Sequence, residues 1–289
     1  MKRLSGLFST PKTNFQVLSD LYLNHESQYL TFHIPVSAPY LILAGNVGQL
    51  ADYDAYLSFL VRRCNLYDGV FLVLGALEFQ GLTHTEGLEL ARHMQEESST
   101  RGKLRILYRT KVEVPGTNVA LLGCTLWSHI PAGAEAAVLK KAPEFDPEEG
   151  IREWSISDHN AEHFQDVSWL QNMVSSPEAG AGAASTSSQQ LVVVSSFTPD
   201  LHHTLPPWQV QSPWCTAHGT DLLNDTDWKG VRYWAHGSTG RTGKAKRFGV
   251  KIVSNQRGRV GEDDKGILED GISEKEKADL FDVTKAIRI

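Results

Sequence analysis

The sequence predicts a layered α/β protein with more than one β-sheet. Two observations indicate this class. Short apolar runs recur between turn residues, and several of them lack the alternation of a half-exposed strand, which is typical of strands covered on both faces. Amphipathic stretches alternate with these runs in the first half of the chain, whereas strands follow one another in the second half. Helices and strands therefore have to pack as layers around a shared core.

The elements follow from these runs in order. The predicted strands lie at residues 15–19, 40–44, 70–74, 104–108, 119–123, 191–195, 231–235 and 248–253. The predicted helices lie at residues 52–64, 85–97 and 159–174. Asp52 and Thr85 are expected N-caps, because their side-chain oxygens can accept a hydrogen bond from the first turn. The length of 289 residues fits one large domain or two small ones, and we favour one.

Composition narrows the class of protein and of partner. With 41% hydrophobic and 21% charged residues, the chain has average globular usage, which excludes a fully disordered, collagenous or coiled-coil protein. The formal net charge of -6 disfavours nucleic acid and anionic membranes as partners. Three widely separated cysteines favour reduced thiols and a cytoplasmic location. No apolar run approaches the ~20 residues of a membrane-spanning helix.

Two segments stand apart by composition. Residues 175–190 read SSPEAGAGAASTSSQQ and predict a mobile insertion loop within a single domain at residues 1–260. Residues 261–289 form an acidic tail, with a helix expected near residues 273–285. A solvated helix face and a partner-binding tail are both open interpretations of this tail.

Polar residues and glycines follow five of the predicted strands. These loops read Ser19-Asp20-Leu21-Tyr22, Gly45-Asn46-Val47-Gly48, Gly75-Ala76-Leu77-Glu78-Phe79, Ser195-Ser196-Phe197-Thr198-Pro199 and Gly237-Ser238-Thr239-Gly240. In α/β sheets, ligands bind where loops leave the carboxyl ends of strands. We therefore expect the functional site at these five loops.

The order and spacing of the five loops resemble the calcineurin-like metallophosphoesterase family. In that family the corresponding loops read D-x-H, G-D, G-N-H-E, H-H and G-H-x-H, and together they hold two metal ions. The resemblance covers residues 15–258, nearly the whole chain. It implies a two-sheet β-sandwich flanked by helices.

The first three loops depart from the family at its metal ligands. Asp20 matches the first aspartate, but Tyr22 stands where the family has histidine. Asn46 replaces the aspartate that bridges the two metals. Ala76 and Leu77 stand in place of the asparagine ligand and the catalytic histidine.

The remaining positions depart further. Glu78 is retained, but the family does not use this position as a metal ligand. Ser196 and Phe197 replace the paired histidines, and Ser238 and Gly240 replace the histidines of the last loop. A two-metal centre needs several anionic and imidazole ligands to offset the repulsion of two cations. One carboxylate does not meet that need, so we expect no metal and no other cofactor.

The replacements point to a small-molecule pocket with apolar walls and few polar contacts. The hypothesis is a metal-independent enzyme that cyclises, isomerises or eliminates from a small, partly apolar molecule, a chemistry compatible with specialised-metabolite biosynthesis. The expected catalytic residues are Asp20, Tyr22, His129 and His236. The expected substrate-binding residues are Asn46, Leu77, Glu78, Trp127, Ser196, Phe197, Ser238 and Arg241.

Other interpretations stay open at the level of sequence. The new side chains could simply fill a collapsed cleft, in a non-catalytic pseudophosphatase that binds a partner. A residual phosphoesterase with another ligand set is a third alternative.

Trp208 and Trp214 could cover the site or pack elsewhere. His159 and His163 share a helix face, but the H-E-x-x-H glutamate is missing. The oligomeric state and the substrate are not determined by the sequence.

Overall fold

A computed structural model describes residues 13–176, 189–258 and 280–289 of the chain. The strands are β1 Asn14–Leu18, β2 Tyr40–Ala44, β3 Gly69–Val73, β4 Leu104–Ile106, β5 Thr110–Glu113, β6 Val119–Cys124, β7 Gln190–Ser195, β8 Val231–His236, β9 Gly243–Arg247, β10 Val250–Ser254 and β11 Ala286–Arg288. The helices are α1 Tyr53–Cys64, α2 Ala76–Phe79, α3 His84–Glu96, α4 Glu135–Val138, α5 Ile156–Ser175, α6 Leu201–Thr204 and α7 Pro207–Val210.

The strands form two mixed sheets. The first has the order β11-β1-β2-β3-β4, in which β1 to β4 are parallel and β11 is antiparallel to β1. The second has the order β5-β6-β7-β8-β10-β9, with a parallel centre from β6 to β10 and an antiparallel strand at each edge. Because the central strands of each sheet are parallel, their carboxyl ends meet along one edge.

The two sheets pack face to face and helices cover their outer faces. Alternate residues of β2 show how the strands are buried on both sides: Ile42 packs between the sheets, whereas Leu41 and Leu43 face the cluster that includes α1 and α3. On the second sheet, Val193 faces a cluster that includes Leu170 of α5. The predicted α/β class and the two-sheet architecture with flanking helices are confirmed.

The helix starts differ in detail from the sequence predictions. Asp52 is the N-cap of α1, but its side chain accepts a hydrogen bond from the Tyr29 hydroxyl instead of capping the helix. The prediction that Thr85 is the N-cap of the second helix is wrong. Helix α3 is capped by Thr83, whose hydroxyl accepts from the amide of Glu86 while the Glu86 carboxylate accepts from the Thr83 amide.

The insertion loop and the tail are described in part. Residues 177–188 of the predicted loop and residues 259–279 of the chain lie outside the described residues. The described end of the predicted tail helix, residues 280–285, is not helical, and β11 follows it as an edge strand of the first sheet. Within the described ranges, no helix is both long and apolar enough to cross a membrane.

Candidate functional site

The loops after β1, β2, β7 and β8 meet at the carboxyl edge of the two sheets. Backbone hydrogen bonds join them directly: the amide of Asp20 donates to the carbonyl of Gly45 at 3.0 Å, and the amide of Gly237 donates to the carbonyl of Ser196 at 2.9 Å. The amide of Ser238, after β8 of the second sheet, also donates to Oδ2 of Asp20, after β1 of the first sheet, at 3.1 Å. The loops from both sheets therefore form one continuous floor. This is the position at which the sequence predicts the site.

Left-handed backbone conformations are concentrated in this floor. Asp20, Tyr22, Asn46 and Ser238 have φ angles of 52°, 49°, 54° and 61°. Non-glycine residues seldom adopt this region, and aspartate and asparagine tolerate it best. The backbone strain is held by the surrounding hydrogen bonds, and such strain is often found at functional sites.

Two glycines let the loops approach this closely. A Cβ atom on Gly237 would lie 2.5 Å from Oδ2 of Asp20, and one on Gly75 would lie 2.6 Å from Oδ1 of Asn46. Neither position has room for a side chain. The close contacts between the polar side chains of the floor therefore depend on glycine at both positions.

The buried carboxyl of Glu78 ties the loop after β2 to the loop after β3. Its Oε2 accepts from the amides of Asn46 at 2.9 Å and Gly75 at 2.7 Å. Its Oε1 accepts from the amide of Val47 at 2.7 Å and from the hydroxyl of Tyr56 at 3.1 Å. Burial raises the pKa of Glu78, and the hydrogen bonds from the backbone amides oppose that rise. Glu78 thus lies beneath the cleft, as a support for its loops.

Asp20, Asn46 and Ser238 form a hydrogen-bonded group at the centre of the floor. Oδ1 of Asn46 accepts from the backbone amide of Leu77 at 3.1 Å, which fixes the orientation of the side-chain amide. Nδ2 of Asn46 therefore donates to Oδ1 of Asp20 at 2.9 Å and to Oγ of Ser238 at 3.0 Å. The amide of Ser238 also donates to both oxygens of Asp20, at 3.2 and 3.1 Å.

This arrangement does not fit the two metal ions of the resembled family. A cation needs lone pairs directed at it, but the oxygens of Asp20 face N–H donors and Asn46 presents an NH₂ group to Asp20. Among the described residues, no three His, Cys, Asp or Glu side chains converge on a point where they could hold a metal ion. The N–H groups of Asn46 and Ser238 occupy the positions around the Asp20 carboxyl where a cation would have to bind.

Burial raises the pKa of Asp20 from 3.8 to about 6, and the hydrogen bonds from Asn46 and Ser238 offset part of that rise. The side chain is 2% exposed. Its neutral form is therefore favoured more in the folded protein than in water.

An open cleft of about 290 Å³ lies above this floor. Its lining is mixed, with apolar and aromatic side chains next to amide, hydroxyl, imidazole and charged groups. The lining residues are Tyr22, Asn46, Ala76, Leu77, Gln80, Lys141, Ala142, Pro143, Glu144, Phe197, Gln209, Trp214, Ala217, His218 and Ser238. The cleft is not filled by the side chains that replace the expected metal ligands.

Five of the residues expected at the site line the cleft: Tyr22, Asn46, Leu77, Phe197 and Ser238. Others lie below its surface. Ser196 is fully buried, with its hydroxyl 3.2 Å from that of Ser238. Trp127 is also fully buried and packs against the ring of Phe197, with 5.4 Å between the ring centroids. Trp127 and Ser196 thus support the cleft from behind.

The remaining expected residues lie apart from the cleft. The ring of His129 packs against those of His163 and Phe164. His236 is 1% exposed and lines a separate cavity of about 50 Å³ together with Arg241. Burial lowers the pKa of His236 to about 4, so its neutral form is favoured at neutral pH.

Sequence reasoning missed the wall opposite the strand ends. Lys141 and Glu144 come from the segment after β6, and Gln209 and His218 come from the segment after β7. Of the two tryptophans that could cover the site, Trp214 lines the cleft as part of this wall. Trp208 does not line the cleft and is 71% exposed. The wall residues follow no strand directly and show no motif, so the sequence carries no signal for them beyond the tryptophan pair.

Nδ1 of His218 lies 2.7 Å from the carbonyl of Ser238 and must donate to it, because a carbonyl only accepts. Nε2 of His218 then accepts from the side-chain amide of Gln209. Burial lowers the pKa of His218. Burial thus favours the neutral imidazole, which is held on both sides.

Comparison with known proteins identifies the fold. The solved structures similar to it include a phosphopantetheinyl hydrolase from Mycobacterium tuberculosis, with a TM-score of 0.61 and 15% identity over 86% of this chain and 91% of that chain. A putative 5'-nucleotidase from Staphylococcus aureus, in complex with alpha-ketoglutarate, has a TM-score of 0.45 and 14% identity over 85% of this chain and 49% of that chain. No protein-family model and no curated protein matches the sequence. At these identities the likeness concerns the fold alone.

Glu78→Gln should lower the free energy of unfolding by about 3 kcal/mol, because either orientation of the new amide turns an NH₂ group toward backbone N–H donors. Urea unfolding followed by circular dichroism measures this loss. Tyr56→Phe is the matched control, since it removes one hydrogen bond to the same carboxyl and should cost about 1 kcal/mol. Equal, small losses in both variants would contradict the bridging role of Glu78.

Asp20→Asn should remove a pH-dependent loss of stability. The folded pKa of about 6 exceeds the ordinary 3.8, so the folded state binds this proton more tightly and loses stability as the pH rises from about 4 to about 6. The variant should gain up to about 3 kcal/mol relative to the natural chain between these limits. Urea unfolding at several pH values measures the difference, and a difference that does not change with pH would refute the assignment.

Proposed function

We propose that the chain is a degenerate member of the calcineurin-like metallophosphoesterases, working as a metal-independent enzyme on a small, partly apolar molecule. The reaction class is a cyclisation, an isomerisation or an elimination, driven by proton transfer and by the shape of the cleft. The proposal rests on the function class that the loop residues predict and on the geometry of the floor.

The observation that carries the proposal is the orientation of the Asn46 amide. Its oxygen is held by the amide of Leu77, and its NH₂ group is directed at Asp20. The polar group at the floor is thus complete without a cation. Yet the cleft above it remains open, with a volume of about 290 Å³. This open volume favours a site that binds an organic molecule and disfavours a cleft filled by its own side chains.

The walls favour a molecule with an apolar body. Leu77, Phe197 and Trp214 offer aliphatic and aromatic surface, and Lys141 at the rim lies 5.2 Å from the centre of the Trp214 ring. Asn46 and Ser238 are polar groups that can orient the bound molecule from below. Apolar walls combined with orienting polar groups are typical of small-molecule sites.

In this proposal Asp20 acts by holding the floor in place. Its oxygens accept from Asn46 and Ser238, both of which line the cleft. Because Oγ of Ser238 accepts from Asn46, the Ser238 hydroxyl proton points to Ser196 or into the cleft. Loss of the Asp20 carboxyl would therefore release two groups that touch the bound molecule.

The test is a conversion assay without a presumed substrate. The natural chain and Asp20→Asn are each incubated with a metabolite extract in the presence of EDTA, and mass spectrometry follows each compound. We expect the natural chain to convert a compound into a product of equal mass, or of mass reduced by a small neutral leaving group. Asp20→Asn should slow that conversion about 10-fold or more, since misplaced groups reduce rate strongly.

The outcomes separate the alternatives. A compound that is retained by the protein but not converted would support the non-catalytic binding protein instead. A conversion that releases phosphate and stops with EDTA would support a phosphoesterase with another ligand set. Asp200→Asn serves as a control, because this aspartate caps α6 and does not line the cleft.

A further inference from the structure

Glu144 brings a buried carboxyl to the wall of the cleft opposite the strand ends. It lies in the middle of a 3-10 turn, Pro143–Phe145, and is 3% exposed. The cleft lining includes this residue together with its neighbours Ala142 and Pro143. Glu144 is thus a titratable residue that lines the same space as Asn46 and Ser238.

One carboxyl oxygen of Glu144 is buried without a hydrogen bond. Within the described part of the chain, neither Oε1 of Glu144 nor Nδ1 of His159 has a partner, and both atoms are shielded from solvent. The two atoms lie 4.0 Å apart. That distance is too long for a hydrogen bond, but a small rotation of either side chain would form one. Buried polar atoms are rarely left unpaired, so this pair requires an explanation.

A third residue completes the arrangement. His159 lies on α5, and its Nε2 is 2.9 Å from Oγ of Ser128 on the loop after β6. Ser128 and His159 are both fully buried. The order from the cleft inward is therefore Glu144, His159, Ser128, with the imidazole between the carboxyl and the hydroxyl.

This arrangement can accept both protonation states of the carboxyl. When Glu144 is ionised, Nδ1–H of His159 can donate to it while Nε2 accepts from the Ser128 hydroxyl. When Glu144 is protonated, its O–H can donate to Nδ1 while Nε2–H donates to Ser128. The two states differ by one proton on the Glu144 carboxyl, by the imidazole tautomer and by the direction of the Ser128 hydroxyl, and no charge is added to His159.

The environment favours neutral groups over an ion pair. Burial raises the pKa of Glu144 to about 7 and lowers the pKa of His159 to about 3. Nearby titratable groups include Lys141, exposed on the same segment, His218, which lines the same cleft, and His163, one turn along α5. A carboxyl that exchanges its proton near neutral pH is suited to general acid–base catalysis.

We propose that Glu144 exchanges a proton with the molecule bound in the cleft, and that His159 and Ser128 are positioning residues for its carboxyl. This inference rests on the proposed function, since it needs a reaction in the cleft. It names the group that performs the proton transfer, which the loop residues of the sequence do not reveal.

The other candidates in the site are already engaged. Both oxygens of Asp20 accept hydrogen bonds from Asn46 or Ser238. The nitrogens of His218 are held by Ser238 and Gln209. Glu144 differs from both because its buried Oε1 has no partner within the described part of the chain and can pair with His159. In this proposal Oε2 is the oxygen that meets the bound molecule.

The proton balance of the step is simple. The ionised carboxyl takes a proton from one atom of the bound molecule and becomes Glu144 O–H. In an isomerisation or cyclisation, the same proton returns to a second atom of that molecule, so the enzyme ends unchanged. In an elimination, the proton leaves with the departing group. No oxidant, reductant or second substrate is required.

The experiment combines an infrared titration with the conversion assay. The spectrum of Glu144→Gln is subtracted from that of the natural chain between about pH 5 and about pH 9, where a carboxyl of ordinary pKa would already be ionised. We expect the C=O band of a protonated carboxyl at acid pH and its loss near pH 7. Glu148→Gln, an exposed residue a few positions along the same segment, is the matched control and should leave the band in place.

In the conversion assay, Glu144→Gln should lower kcat about 100-fold or more, with KM changed only a few-fold, because it removes proton transfer but keeps the shape of the wall. His159→Gln should move the midpoint of the infrared titration and the midpoint of the kcat pH profile in the same direction. A purely structural role for His159 would not shift the two midpoints together. Glu148→Gln should keep the natural kcat.

Three results would overturn the proposal. One is a Glu144 carboxyl that is fully ionised at pH 5. Another is a Glu144→Gln variant that keeps its kcat, in which case the proposed function stands and another group transfers the proton. The third is a natural chain that converts no compound, which refutes the proposed function and the catalytic role of Glu144 together, whatever the infrared titration shows.

Discussion

The carboxyl of Glu78 sets the geometry on which the cleft depends. It is fully buried and accepts hydrogen bonds from the backbone of the loops after β2 and β3. Backbone amides at such turns have no partner in a sheet or helix, and leaving them unpaired in the interior is costly. One acceptor thus holds the backbone of Asn46 and Gly75 at fixed positions, and the Asn46 side chain in turn accepts from the amide of Leu77. The side chains that face the cleft can differ widely while the loops beneath keep their shape.

The backbone of the floor brings its polar side chains close together. Asp20 and Asn46 keep left-handed conformations, and Gly237 leaves space for the carboxyl of Asp20. The polar groups bond to each other, through the Asn46 amide, and do not point at a common centre. Space above them remains open because the wall bearing Glu144 does not close over it. The physical consequence is an open cleft above a hydrogen-bonded polar floor.

Much of the fold follows from the sequence, because buried parallel strands are continuous apolar runs. Strand β2 is predicted to the residue. The missed strands β5, β9 and β11 are short edge strands, and β9 reads GKAKR, with lysines that give no apolar signal.

For the site, the sequence predicts the residues of the floor, because they follow strands directly. The wall with Glu144 and His218 comes from irregular segments, whose place in space depends on long-range packing that no local pattern encodes. No pattern in the sequence indicates that Glu78 is buried beneath the cleft.

The central claim is that this floor is complete without a cation, and metal analysis tests it most directly. The chain is purified without chelators, dialysed against manganese, iron and zinc in turn, freed of loosely held ions and examined by inductively coupled plasma mass spectrometry. Because Asp20 and Asn46 are hydrogen-bonded to each other, the account predicts far less than one metal ion per chain, and no difference from Asp20→Asn. One or two ions per natural chain, lost in Asp20→Asn, would contradict it.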